Sequence, residues 1–294
     1  MKKLLSLGLI SLLLFVAQLA SAEPIEVYVS ILPQKYFVNK IGADLVEVSV
    51  MVAPGASPAT YEPKPKQMVT LTKAKIYYAV GVPFENVWLA KIAAANPEMI
   101  IVHTETGIEK MVMKSPGRHL DGEHQQGNHH HVIKDPHVWL SPPLVMQQAR
   151  NILDGLVAID PVHQSIYETN YKKFIMELVD LDLELKKVFA GRDKQIEFMV
   201  FHPSWGYFAR AYGLEQIPIE VEGKEPKPAE LKDLIDYAKK RDIKVIFVQP
   251  QFSRQAAQTI ARSIGGQIAF LDPLAPDWPH NLREAANKFK ADLR

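Results

Sequence analysis

Five of the ten histidines lie between residues 121 and 143, in "DGEHQQGNHHHVIKDPHVWLSPP". Their surroundings divide them. His124 and His129 to His131, with His119 just upstream, sit among Gly, Gln, Asn and Asp, a stretch too polar to build a core of its own. Such a stretch suits weak capture of Zn(II) for transfer to a fixed site, and it equally suits a solvated loop that tolerates histidines. His137 is different. It stands in Asp-Pro-His-Val-Trp-Leu-Ser-Pro, where prolines and a tryptophan fix the backbone, as a permanent metal ligand requires.

Two further residues share that style. His202 in "FHPSWGYF" has a proline beside it and aromatics that can exclude water. Asp272 in "FLDPLAPDW" precedes a proline that fixes the chain beside it. Two imidazoles and a carboxylate suit Zn(II) or Mn(II), both of which accept mixed nitrogen and oxygen ligation. The imidazoles and the His-rich loop favour zinc.

The elements that must position these residues follow from hydropathy. Short β-branched runs at 25–31, 45–52, 75–81 and 99–103 alternate with helical patterns, which implies a parallel sheet with helical crossovers. The alternation restarts at 196–201, 217–221, 244–248 and 267–271. Between the two sets, residues 160–191 read as one long amphipathic helix, with Asp160 as its cap, Pro161 in the first turn and Gly191 at the end. The expected fold is therefore two parallel-sheet α/β lobes joined by one long rigid helix. The expected divisions are a leader over 1–22, a first lobe over 23–158, a connector over 159–191 and a second lobe over 192–294. Coordinating residues directly follow several strands: His103, His202, Glu222, Gln249 and Asp272. Strand carboxyl ends are where open sheets bind ligands, although loop amides also need such side chains. His163 and His280 read as surface or packing residues.

The leader has a basic start, an apolar run and a small-residue "ASA" end, the pattern of a secretory signal cleaved after Ala22. The chain has no cysteine. It can therefore use no disulfide staple, and it offers no residue for lipid attachment, so a free periplasmic protein is expected. A formal net charge of +1 excludes the basic excess of nucleic-acid or anionic-membrane binders.

"PGASPATYEPKPKQM", "DPHVWLSP", "HPSWGYFARAYGL", "EGKEPKP" and "FLDPLAPDW", in this order, resemble the substrate-binding proteins of zinc/manganese ABC transporters, the zinc-uptake type of the cluster A-I family. The resemblance covers essentially all of residues 23–294. It implies a monomer that captures Zn(II), less readily Mn(II), between its lobes and delivers it to a permease in the inner membrane. His137, His202 and Asp272 match the family's second, third and fourth ligand positions.

One position departs from that pattern. The family has a histidine in a "PHTYEP"-like motif, where this chain has Ala59 in "PATYEP". His103 and Glu62 are the candidate substitutes. His103 is preferred because it restores an imidazole, while a glutamate belongs at position 62 of the motif even beside the histidine. Two other functions stay open. A zinc metallohydrolase can use two histidines and a carboxylate, but no H-E-x-x-H is present. A surface adhesin is the other, because relatives of the family were described as adhesins.

Overall fold

A computed structural model describes residues 23–113, 133–191, 196–220, 224–252 and 254–291. The first lobe holds β1 (Ile25–Val29), α1 (Leu32–Gly42), β2 (Val46–Val50), α2 (Pro65–Leu71), β3 (Ile76–Ala79), α3 (Pro83–Ala95) and β4 (Ile100–His103). Then come α4 (Pro142–Ile159) and α5 (Gln164–Phe189). The second lobe holds β5 (Ile196–Val200), α6 (Gly206–Tyr212), β6 (Leu214–Pro218), α7 (Pro228–Lys240), β7 (Val245–Val248), α8 (Gln255–Ser263), β8 (Gln267–Phe270) and α9 (Trp278–Ala291). Prolines open α1, α2, α3, α4 and α7. A first-turn proline loses no helical hydrogen bond there and has its φ already set.

Both sheets are parallel, ordered β2-β1-β3-β4 and β6-β5-β7-β8. In each, the chain first moves to one side of a central strand and then crosses to the other. That reversal opens a crevice at the strand carboxyl ends, between β1 and β3 and between β5 and β7. Among the described residues, no helix is long and apolar enough to cross a membrane.

The connector departs from expectation in a useful way. It is not one uninterrupted helix from residue 160. The main helix α5 starts at Gln164, after a 3-10 turn over Pro161–His163. Asp160 adopts φ −143° and ψ 70° at the junction, and its Oδ2 accepts bonds from His163 Nδ1 (2.7 Å) and the Tyr167 hydroxyl (2.6 Å). Asp160 thus knots two helices together, and His163 is part of the knot. The 26 residues of α5 rise about 39 Å. A second departure concerns β6, which runs over Leu214–Pro218 and not 217–221. Gly213, at φ 70°, ends α6 in a left-handed turn and sends the chain straight into the strand.

The two sheets do not have two separate cores. One apolar cluster runs from Val27 and Tyr78 through Leu156, Phe174 and Leu185 to Phe198, Phe247 and Phe289. A smaller one, around Met199, Ile217 and Ile260, fills the outer side of the second sheet. The junction is fastened by two indoles. Trp278 donates from Nε1 to the Trp139 carbonyl (2.7 Å), and Trp139 donates to the Pro273 carbonyl (2.8 Å). Trp278 also meets Phe37 of the first lobe edge-on at 5.1 Å. Trp278→Phe, which leaves the Trp139 carbonyl without its donor, is expected to cost about 1–3 kcal/mol. The loss should read out as a lower urea midpoint at unchanged slope.

Candidate metal centre

His137 is held from three directions. Residues 111–113 and 133–135 pair side by side, through Met113 N to Ile133 O (2.9 Å) and Asp135 N to Met111 O (2.8 Å). A 3-10 turn over Val138–Leu140 follows His137 and buries Trp139. Asp135, itself buried, then accepts at Oδ1 from both the His137 backbone N–H (2.9 Å) and Nδ1 (2.7 Å). Tyr207, from α6 of the other lobe, donates to the Asp135 carbonyl (3.0 Å) and accepts from Met111 N (2.9 Å).

His202 arrives from the opposite side, two residues past the end of β5. Its backbone N–H donates to Gln249 Oε1 (3.1 Å), and its carbonyl accepts from Gln249 Nε2 (2.7 Å). Gln249 directly follows β7, so the amide ties the two strands that flank the second sheet's crevice. Buried Glu220 accepts from His202 Nδ1 (2.7 Å), and Phe252 stacks on the ring at 4.6 Å.

The two imidazoles meet with their Nε2 atoms 3.3 Å apart. An ionised carboxylate can only accept a hydrogen bond, so each Nδ1 carries a proton, and a ring in its neutral form keeps its lone pair at Nε2. Burial pushes the pKa of His137 below its ordinary value and outweighs the pull of Asp135, which keeps that ring neutral at pH 7. Two neutral rings with lone pairs converging at this distance repel one another, and a cation between them removes the repulsion. Nitrogens bound to tetrahedral zinc at about 2.0–2.1 Å lie roughly 3.3–3.4 Å apart. The pair is spaced as zinc ligands are.

The other expected residues fall differently. Asp272 follows β8 but lines an adjoining cavity of about 500 Å³, and its Oδ1 accepts from Gln251 Nε2 (2.8 Å) and Leu274 N (2.9 Å). Among the described residues, no third His, Cys, Asp or Glu joins the histidine pair closely enough to make a set of three. His103 does not point into the crevice. It ends β4, the edge strand, where its half-exposed ring pairs with Glu105 at 3.3 Å. Glu62 is exposed and does not line the cleft. Ala59 does line it, with His137 and His202, in an open cleft of about 470 Å³. His119, His124, His129 to His131 and Glu222 lie outside the described residues.

The comparisons with known proteins decide the family. Residues 27–291 match the model of the zinc-uptake complex component A family, a periplasmic one. The chain belongs to this family. The high-affinity zinc uptake system protein ZnuA of Bacillus subtilis is 30% identical over 259 residues, covering 87% of this chain and 80% of that protein. Among solved structures, ZnuA superposes with a TM-score of 0.84 at 43% identity, over 92% of this chain and all of that one. A zinc-bound deletion mutant of ZnuA gives 0.83 at the same identity. The laminin-binding protein of Streptococcus agalactiae, at 23% identity and a TM-score of 0.78, shares the fold.

Within this family's fold, the residues that orient the histidines were not singled out by sequence. Asp135 was visible in "DPH", and a carboxylate two residues before a ligand is a recognisable orienting signal. Glu220 was hidden by the misplaced β6, which drew attention to Glu222. Ligand-orienting carboxylates are worth roughly 10–100-fold in metal affinity. Asp135→Asn and Glu220→Gln should each weaken zinc binding by about that factor in chelator competition, with the fold intact by circular dichroism. Gly206→Ala should act in the same direction, because a Cβ there would lie 3.0 Å from Asp135 Oδ2.

Proposed function

We propose that the chain captures Zn(II) outside the cytoplasm and passes it to the permease of an ABC importer in the inner membrane, acting as a monomer. The carrying observation is the pair of carboxylate-backed imidazoles, Nε2 to Nε2 at 3.3 Å, in a cleft between two lobes. His137 and His202 are the nitrogen ligands. Oxygen comes from the loops after β7 and β8, with Asp272, at the position of the family's fourth ligand, as the carboxylate. Zinc is preferred to manganese because neutral imidazoles at tetrahedral spacing suit it, whereas manganese favours oxygen-rich sites with more ligands.

The same geometry favours a carrier over a hydrolase. Asp135 and Glu220 are both engaged with histidine Nδ1 atoms, the work of orienting ligands and not of activating a water. Family membership and the relatives named for zinc uptake support the transport reading, as does a cleft whose first-lobe side is formed by Ser57, Pro58, Ala59, Val82 and Pro83.

Isothermal titration under chelator competition tests the assignment. His137→Ala and His202→Ala should each lower zinc affinity by orders of magnitude, and parent-like affinity in both would refute it. Ala59→His, which restores an imidazole on the cleft wall, should tighten binding. Weaker binding in that variant would show that the loop does not face the ion.

A further inference from the structure

Each histidine of the pair is held by one buried partner: Asp135 for His137 and Glu220 for His202. Asp272 has a partner too, the half-buried Gln251. This side chain lines the histidine cleft and donates from Nε2 to Asp272 Oδ1, which also accepts from Leu274 N. Among the described residues nothing bonds to Oδ2. Among the same residues, Gln251 Oε1 is buried without a partner. A buried orphan acceptor is destabilising, so packing alone gives no reason for an amide here.

We propose that Gln251 is a specificity-determining positioning residue: it occupies Oδ1 of Asp272, so that this carboxylate meets the ion through Oδ2 alone. The inference rests on the zinc-site reading above. A carboxylate restricted to one oxygen contributes one bond, which suits a four-coordinate ion beside two imidazoles. Manganese gains from more oxygen ligands and from both oxygens of a carboxylate. The amide therefore holds the site at low coordination number and disfavours manganese. Two residues past Asp272, Leu274 lines both the histidine cleft and the adjoining cavity, so the two pockets are neighbours.

The experiment compares the full chain with Gln251→Met, close in shape but without a donor, and Gln251→Glu, which keeps the shape and loses the donor when ionised. Zn(II) and Mn(II) affinities are measured separately, together with the visible spectrum of the Co(II)-loaded protein. His202→Ala runs beside them. Both Gln251 variants should lose roughly 10–100-fold in zinc affinity and far less in manganese affinity. The Co(II) bands should weaken as coordination rises above four. Equal losses for the two ions, or an unchanged ion preference with an unchanged Co(II) spectrum, would overturn the proposal while leaving the histidine site standing. Parent-like zinc binding in His202→Ala would overturn both.

Discussion

The arrangement turns on two lone pairs that face each other. Bringing Nε2 of His137 and Nε2 of His202 to 3.3 Å is unfavourable for neutral rings, and neither ring can turn away cheaply. Each Nδ1 is tied to a buried carboxylate at 2.7 Å, and the rings are packed by Trp139 on one side and Phe252 on the other. For two neutral rings the surroundings hold this repulsion in place, and a cation between them would relieve it. Preorganisation of this kind shifts the cost of assembling a site from binding to folding.

Folding can carry that cost because the ligands sit on a continuous apolar core. His202 leaves the end of β5 and is locked to β7 by Gln249, at the point where the second sheet reverses its winding. His137 belongs to the chain segment that leads into α4, yet Tyr207 and the Trp139–Pro273 bond fasten it to the second lobe. Phe174 and Leu185 of α5 carry the same cluster from one lobe into the other. A rotation of one lobe on the other would have to open that cluster, and burial is worth about 25 cal/mol per Å² of apolar surface. The connector limits lobe motion by packing as well as by its own stiffness.

Much of this was legible in the sequence, and the failures have physical causes. Seven of the eight apolar runs mark their strands closely and the eighth, 217–221, overlaps β6 only at its end, since parallel strands under helices keep a near-continuous apolar signature. His137 and His202 stood out because prolines and aromatics around a polar residue signal a fixed, sheltered side chain. The start of α5 was misjudged because hydropathy continues smoothly through residues 160–164, while the break depends on Asp160 accepting from His163 and Tyr167. The structure puts His103 at the end of β4, with its ring half-exposed. β4 is the edge of its sheet, and its last side chain pairs with Glu105 instead.

Ala59 gives the departure from the family motif a structural meaning. The first lobe contributes Ser57, Pro58, Ala59, Val82 and Pro83 to the cleft wall, and no imidazole or carboxylate among them. The coordinating groups that line the cleft are His202, rooted in the second lobe, and His137, on a segment bonded to that lobe by Tyr207 and Trp139. The part of the first lobe's wall that carries Ala59 is therefore a cover, and that lobe's imidazole comes from the separate segment of His137. An apolar cover excludes water and lowers the local dielectric, which would strengthen each bond of a cation held by the two histidines beneath it.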